Sequence, residues 1–183
     1  LPYALCLLSL LACSPTPEAP EGLKAPPPTV PRAVPTPPPL AVEVPTRAPE
    51  VRAVPHTLES TVQAHVVSEL AEAKADGRQL VVYVGAPWCE PCRRFHDAVV
   101  AGELNAPLDG VRFLEFDHDA HQDGLKSAGY LRRFVPLFAI PKPDGAASKR
   151  LHQGAIKGPG AVDFILPHLT TLLSEGAQPP PGG

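Results

Sequence analysis

Cysteine, basic blocks and aromatic side chains are all scarce in this chain of 183 residues. Lys and Arg number 16 against 19 Asp and Glu, for a formal net charge of −3. Without a cationic block the chain lacks the electrostatic footprint of a nucleic-acid binder. The four cysteines are Cys6, Cys13, Cys89 and Cys92, and only the last two fall where the chain reads as folded. That excludes a structural disulfide framework. The sequence has no second Cys-x-x-Cys. A zinc site with its usual four ligands would therefore have to borrow two histidines or a second chain. With 5% aromatics and one Trp, the core falls mainly to Val, Leu, Ile and Phe. Proline is the opposite case: 26 residues, far above average usage and mostly in one region. The length suits one domain of ordinary size plus appendages.

The first twelve residues are apolar and uncharged. They are too short to span a bilayer as a helix and read as the apolar core of a secretory signal. An initiating Met and a basic leader are missing in front of them, so residues 1–13 are expected to be a truncated signal. Leu10-Leu11-Ala12-Cys13 resembles a bacterial lipoprotein box. That resemblance implies lipidation of Cys13, and Ser14, which is not Asp, mildly favours the outer membrane over the inner. Each buried CH₂ of an acyl chain contributes about 0.8 kcal/mol, so several chains tether firmly. The rival reading is an ordinary signal with a chance cysteine. Residues 14–56 are about a third proline, with Pro26-Pro27-Pro28 and Pro37-Pro38-Pro39 as runs. Such a segment favours extended polyproline II. Some forty residues of it reach on the order of 100 Å. It reads as a stalk, with a ligand for proline-binding modules as the lesser alternative. Residues 176–183 read as a loose tail.

Between them, 57–175 carries the pattern of a folded domain. Leu58, Val62, Val66, Leu70 and Ala73 recur at helical spacing, with Thr57 as the expected N-cap and Asp76-Gly77 as the stop. Residues 79–84 are an apolar, β-branched strand. A helix follows the cysteines to about residue 101. Residues 111–116 read as the next strand and 120–129 as a helix. A short strand over 137–140, a hairpin turn at Pro143-Asp144-Gly145 and a strand over 149–153 come next. The last helix is expected over 161–173, with Pro167 kinking it or delaying its start. The order α-β-α-β-α-β-β-α predicts an α/β fold with a central mixed sheet and helices on both faces.

The chemistry concentrates at one junction. The strand 79–84 ends at a Gly/Pro break and delivers Cys89 and Cys92 onto the first turn of a helix. A helix N-terminus carries unsatisfied N–H groups and partial positive charge, a setting that lowers a thiol pKa and favours the nucleophilic thiolate. Cys89, at the helix mouth, is the expected attacking group. Cys92, almost one turn in and expected to be more buried, is the resolving thiol. Pro91 falls where a missing N–H costs little. A zinc half-site and an inert disulfide are the rival readings, and an inert disulfide leaves Trp88 and Pro91 without a purpose. Asp117, His118, Asp119 and His121 form a polar cluster that reads as a solvated loop and helix cap; no metal site is expected. His96, Arg132 and Arg133 read as surface residues.

Trp88-Cys89-Glu90-Pro91-Cys92 behind a hydrophobic strand, with Val135-Pro136 downstream, resembles the thioredoxin family active site, whose usual form is Trp-Cys-Gly-Pro-Cys. The resemblance covers roughly 57–175 and implies a thioredoxin fold. It implies a cis bond before Pro136, with the Val135 backbone opposite Cys89 where it would pair with a substrate chain. It also implies that Trp88 covers the disulfide and lines a substrate groove. Two positions depart from the family. Tyr83 stands where thioredoxins usually carry a buried aspartate that helps move the second cysteine's proton, and a phenol has a reference pKa of about 10. Glu115 could substitute only if it points inward, and a solvated face is the default for it. Glu90 places a negative charge between the cysteines, which disfavours the Cys89 thiolate; strongly oxidising relatives carry a histidine in this dipeptide.

Together these readings predict a membrane-tethered, extracytoplasmic thiol-disulfide oxidoreductase. It would face the periplasm of a bacterial envelope, be anchored through Cys13, and lean towards reduction. Its substrates would be cysteine pairs of other envelope proteins, and an upstream thiol partner would supply or accept electrons. No cofactor beyond the Cys89–Cys92 pair is expected, and the chain reads as a monomer. The alternative is a thioredoxin-fold binding module or assembly chaperone, handling copper or haem-protein thiols with little turnover.

Overall fold

The computed structural model describes residues 47–175. Cys6, Cys13 and most of the expected stalk lie outside them, as does the 176–183 tail. Among the described residues no helix is long and apolar enough to cross a membrane.

The strand β2 (Gln79–Gly85) sets the architecture. Side chains alternate across a strand, and both of its faces are apolar. Val81 and Tyr83 point into one core, and Leu80, Val82 and Val84 into the other. A strand buried on both sides belongs at the centre of a sheet covered by helices. Accordingly β2 lies parallel to β3 (Val111–Asp117) and antiparallel to β4 (Leu137–Pro141). β4 in turn pairs antiparallel with β5 (Ala147–Gln153). The sheet has five strands in the order β1-β3-β2-β4-β5, with β1 (Glu50–Ala53) parallel to β3 at one edge.

Helices cover both faces. Residues of α2 (Glu90–Val100) and α4 (Ala161–Ser174) fill the first core with Val81, Tyr83, Phe113 and Phe138. Residues of α1 (Val62–Ala75) and α3 (Gln122–Ser127) fill the second with Val82, Val84, Leu114 and Phe116. The mixed sheet flanked by helices is the α/β architecture expected.

Three details differ from expectation. β1 falls inside 14–56, where a linker was expected. Pro49 and Pro55 frame it, and an edge strand tolerates proline at its ends. What fixes β1 is tertiary. Val54 N–H donates to the Glu115 carbonyl at 2.8 Å. The buried Arg112 guanidinium bonds Glu50 on β1 at 3.1 Å and Asp76 at the end of α1. The N-cap of α1 is Thr61 and not Thr57: the Thr61 hydroxyl accepts from the Ala64 N–H at 3.1 Å, so α1 starts one turn later. Finally, of the kink or delayed start expected from Pro167, the delay does not occur: α4 starts at Ala161 and runs through Pro167. Pro167 is exposed, and its carbonyl accepts from the hydroxyls of Thr170 and Thr171.

Candidate active site

β2 ends at Gly85, and a tight turn follows in which Cys89 N–H donates to the Ala86 carbonyl at 3.0 Å. Cys89 is then the N-cap of α2, in extended conformation. Its Sγ accepts the Cys92 N–H at 3.2 Å, one of the donors that a helix start leaves unsatisfied. Pro91 sits in the first turn, where the ring removes an N–H that had no partner. Cys89 and Cys92 are joined as a disulfide, with Cα atoms 5.2 Å apart. The sequence placed Cys89 at an open mouth and Cys92 deeper. The oxidised pair does not divide that way: the two residues are 4% and 3% exposed, because both pack into the core with Tyr83 and Phe95. What separates them is the surroundings. Cys89 receives the amide, and Cys92 lines a cleft on the far side of the helix start.

Tyr83 is fully buried, stacked on Phe138 at 5.0 Å and edge-on to Phe95. Its hydroxyl donates to the Cys92 carbonyl at 3.2 Å, tying the inner cysteine's backbone to the central strand. Burial, with Glu115 as a lesser cause, pushes the phenol far above its ordinary range, so Tyr83 holds its proton.

Glu90 is less free than the sequence implied. Its carboxylate bonds Arg94 one helical turn on, and it accepts the Gly158 N–H at 3.1 Å. The Arg94 bond and then the Gly158 amide hold the carboxyl below the usual range. The charge is present, but a guanidinium and an amide share its field, so it opposes a Cys89 thiolate less than a free carboxylate would.

The Val135-Pro136 bond is cis. Pro136 is buried, and its carbonyl accepts the Gly154 N–H at 2.7 Å, fixing this loop to the end of β5. Val135 is half-buried and packs against both cores. Trp88 is 63% exposed. It lies edge-on to His118, and its indole N–H donates to Asp119 at 2.7 Å. Phe134 and Ile156 are also exposed. Phe134 precedes the Val-Pro pair, and Ile156 lies in the loop that Glu90 holds through Gly158. Neither was singled out in the sequence. An aromatic immediately before Val-Pro was the available signal.

The polar cluster after β3 was expected to be a solvated loop and helix cap; it closes a turn instead, and His121, the N-cap of α3, makes no side-chain capping bond. Asp117 accepts the backbone N–H groups of Asp119 and Ala120 at 2.8 Å. His121 is buried, with its ring between the Asp117 and Pro55 carbonyls. Among the described residues no group of three or more His, Cys, Asp and Glu side chains is placed to hold a metal ion. Arg133 lies over the Phe134 ring at 5.2 Å, and Arg132 donates to the Leu131 carbonyl.

Two residues read as surface, Glu115 and His96, line the same cleft as Cys92. Glu115 faces Tyr83 across the β2–β3 register, and its side chain is only 25% exposed. His96, one turn beyond Cys92 on α2, brings Nε2 to 3.9 Å from the Glu115 carboxylate. Burial pushes the Glu115 carboxyl up, against the opposing effect of His96.

Residues 61–143 match a family model described as thioredoxin-like. The crystal structure of a poplar wild-type thioredoxin h is 22% identical, with a TM-score of 0.43, covering 71% of this chain and 98% of that one. A poplar thioredoxin h mutant is 21% identical with a TM-score of 0.44, covering 73% and 89%. No curated protein matches the chain. The matched stretch, 61–143, is thus similar to a thioredoxin-like family and includes the β2–α2 junction that presents the Cys-x-x-Cys.

Proposed function

We propose that this chain is a protein thiol-disulfide oxidoreductase acting through Cys89 and Cys92. The observation that carries the reading is the Cys92 N–H aimed at Cys89 Sγ from the first turn of α2. On reduction that donor faces a thiolate, which it stabilises. In the reductive direction the Cys89 thiolate attacks one sulfur of a substrate disulfide, and the other substrate sulfur leaves as a thiolate. Cys92, as thiolate, then attacks Cys89 Sγ. The mixed disulfide breaks, the second substrate sulfur leaves, and the Cys89–Cys92 disulfide forms. Two electrons pass from the cysteine pair to the substrate, and an external dithiol of the envelope must return them. The exposed Trp88 and the Val135-Pro136 loop supply the surface on which a substrate segment would lie. Cys13 would anchor the chain by lipidation to a bacterial membrane, the outer one favoured, with the proline-rich stretch as stalk and the domain facing the periplasm. The substrates are cysteine pairs of neighbouring envelope proteins.

Cys92→Ser tests the reading. It should accumulate mixed disulfides between Cys89 and partner proteins, released by reductant and absent from Cys89→Ala, Cys92→Ser. Partners recovered equally well without either thiol would replace the enzyme by a binding module. The reduction potential then gives the direction. A value near about −270 mV means a reductant, as the Glu90 charge favours, whereas one towards about −120 mV means an oxidant.

A further inference from the structure

Arg133, Phe134, Ile156 and Lys157 are exposed and have no part in the thiol chemistry itself. They lie on two segments that the fold brings together. Gly154 N–H donates to the Pro136 carbonyl at 2.7 Å, and a Cβ on Gly154 would lie 3.4 Å from Phe134 Cβ. At the other end of the same loop, Gly158 donates its N–H to Glu90, the residue after Cys89. Residues 133–136, 154–158 and the start of α2 therefore form one continuous stretch that leads to the cysteine pair. Phe134 and Ile156 are 53% and 50% exposed on it. Large apolar side chains gathered on one stretch in water mark an interaction surface.

The charge of this surface is decided by which groups are already paired. Two carboxylates lie close by, and both are spent. Glu90 bonds Arg94 and the Gly158 amide. Asp119 bonds the Trp88 indole and His118. Asp163, in the first turn of α4, is exposed and lies round the helix from buried Ala161 and Ile165, so it points outward. The cations are the opposite case. Among the described residues neither Arg133 nor Lys157 makes an ion pair. Arg133 rests over the Phe134 ring at 5.2 Å, and Lys157 directly follows Ile156. Each exposed apolar side chain thus has a cation beside it. Arg93, next to Cys92, instead shares the cleft with Asp97, Glu115 and Asp117. The chain as a whole carries a formal net charge of −3, so the positive stretch is a local feature.

We propose that Arg133 with Phe134, and Ile156 with Lys157, select substrate segments that carry carboxylates and an apolar residue beside the reacting cysteine. The proposal rests on the oxidoreductase reading above and adds a substrate class to it. The apolar residue covers Phe134 and Ile156, and the carboxylates meet the two cations. Complementary charge of this kind acts on the rate of encounter and on the register of docking, and salt screens it.

Three synthetic peptides test the selection. Each holds one cysteine beside a leucine, as the mixed disulfide with 2-thiopyridine, and they differ only in two flanking residues: Glu, Gln or Lys. The reduced full chain passes two electrons to the mixed disulfide. The Cys89–Cys92 disulfide forms, the peptide–pyridine disulfide breaks, and the two protons leave on the peptide thiol and on 2-thiopyridone, whose ultraviolet absorbance is followed. The readout is the ratio of the second-order rate constants for the Glu and Lys peptides within one protein. A general change in folding or in Cys89 reactivity cancels from that ratio. In wild type at low salt it should be about tenfold in favour of Glu, with the Gln peptide between. It should approach one in about 1 M salt, where the screening length is about 3 Å. Arg133→Glu with Lys157→Glu should invert the order, and Arg133→Gln with Lys157→Gln should remove it. A wild-type ratio of one or less at low salt overturns the proposal, and so does a ratio that the double reversal leaves in place. Failure of wild type to form the Cys89–Cys92 disulfide with any of the peptides is a different result: it overturns the oxidoreductase reading and the proposal with it.

Discussion

Gly85 closes β2 directly under the disulfide, and Gly85→Ala measures how rigidly that floor is built. A Cβ there would lie 3.0 Å from the Tyr83 hydroxyl oxygen, 3.2 Å from its Cζ and 3.6 Å from Cys92 Cβ. Tyr83 is fully buried between Phe95 and Phe138 and has no free rotamer to retreat to. Overpacking of this kind costs about 1–3 kcal/mol. Displacing the hydroxyl from the Cys92 carbonyl adds about 1 kcal/mol. Removing a glycine from the unfolded chain returns about 0.4–1 kcal/mol. The net expectation is a destabilisation of about 2 kcal/mol, or roughly 6–8 °C for a domain of this size. Tyr83→Phe alone should cost about 1 kcal/mol, the net worth of one neutral hydrogen bond. It also removes the atom nearest the new methyl, so the double mutant should cost about 1 kcal/mol less than the sum of the singles. Urea unfolding of the four oxidised proteins, followed by far-ultraviolet circular dichroism, yields the cycle. A Gly85→Ala protein as stable as wild type, or strictly additive singles, would show that Tyr83 is not held against Cys92 and would refute the reasoning.

Gly145 has a φ of +80°, and a Cβ on it would meet the Gln63 carbonyl oxygen of α1 at 2.2 Å. Gly145→Ala should therefore cost about 2–4 kcal/mol, whereas Gly110→Ala, with a φ of +71° but no atom within 4 Å, should cost only about 1–2 kcal/mol; equal losses in urea titrations would argue against the close packing of this turn on α1. Glu115 has a folded-state pKa above its ordinary value because of burial, so the folded state keeps its proton longer than the unfolded chain does. Stability then falls as pH rises from the ordinary carboxylate range through the raised value, and stays lower above it. Glu115→Gln should be more stable than wild type at pH 7 and indistinguishable below the ordinary carboxylate range. A variant less stable at pH 7 would mean that the carboxylate is a structural contact.

The placement of the cysteine pair was legible in the sequence because its causes are local. A β-branched run, a Gly/Pro break and a Cys-x-Pro-Cys are consecutive. The propensities that make β2 and α2 are the ones that set Cys89 at a helix N-cap. The two-sided burial of β2 was equally readable, since an apolar run without alternation fits only a covered central strand. β1 was not legible. Its four residues sit in proline-rich surroundings, and its reasons for being extended lie in β3 and in Arg112, about sixty residues away. Thr57 was the N-cap expected from the sequence, whereas the capping bond to the Ala64 N–H is made by Thr61.

Glu115 shows most clearly where sequence reasoning stops. Strand alternation groups it with Val111 and Phe113 but does not say what covers that face. Solvent was the default, and the assembled sheet instead puts α2 and His96 there. Glu90 is a similar case: the sequence supplied its charge, and only the fold brought the Gly158 amide to share it, 68 positions away. By itself the sequence determined the cysteine pair, the helix that polarises it and the layered architecture, because these follow from neighbours within about one helical turn or one strand. Only the tertiary structure decided which charges face the sulfurs, because a carboxylate's proton affinity depends on burial and on partners that chain order does not reveal.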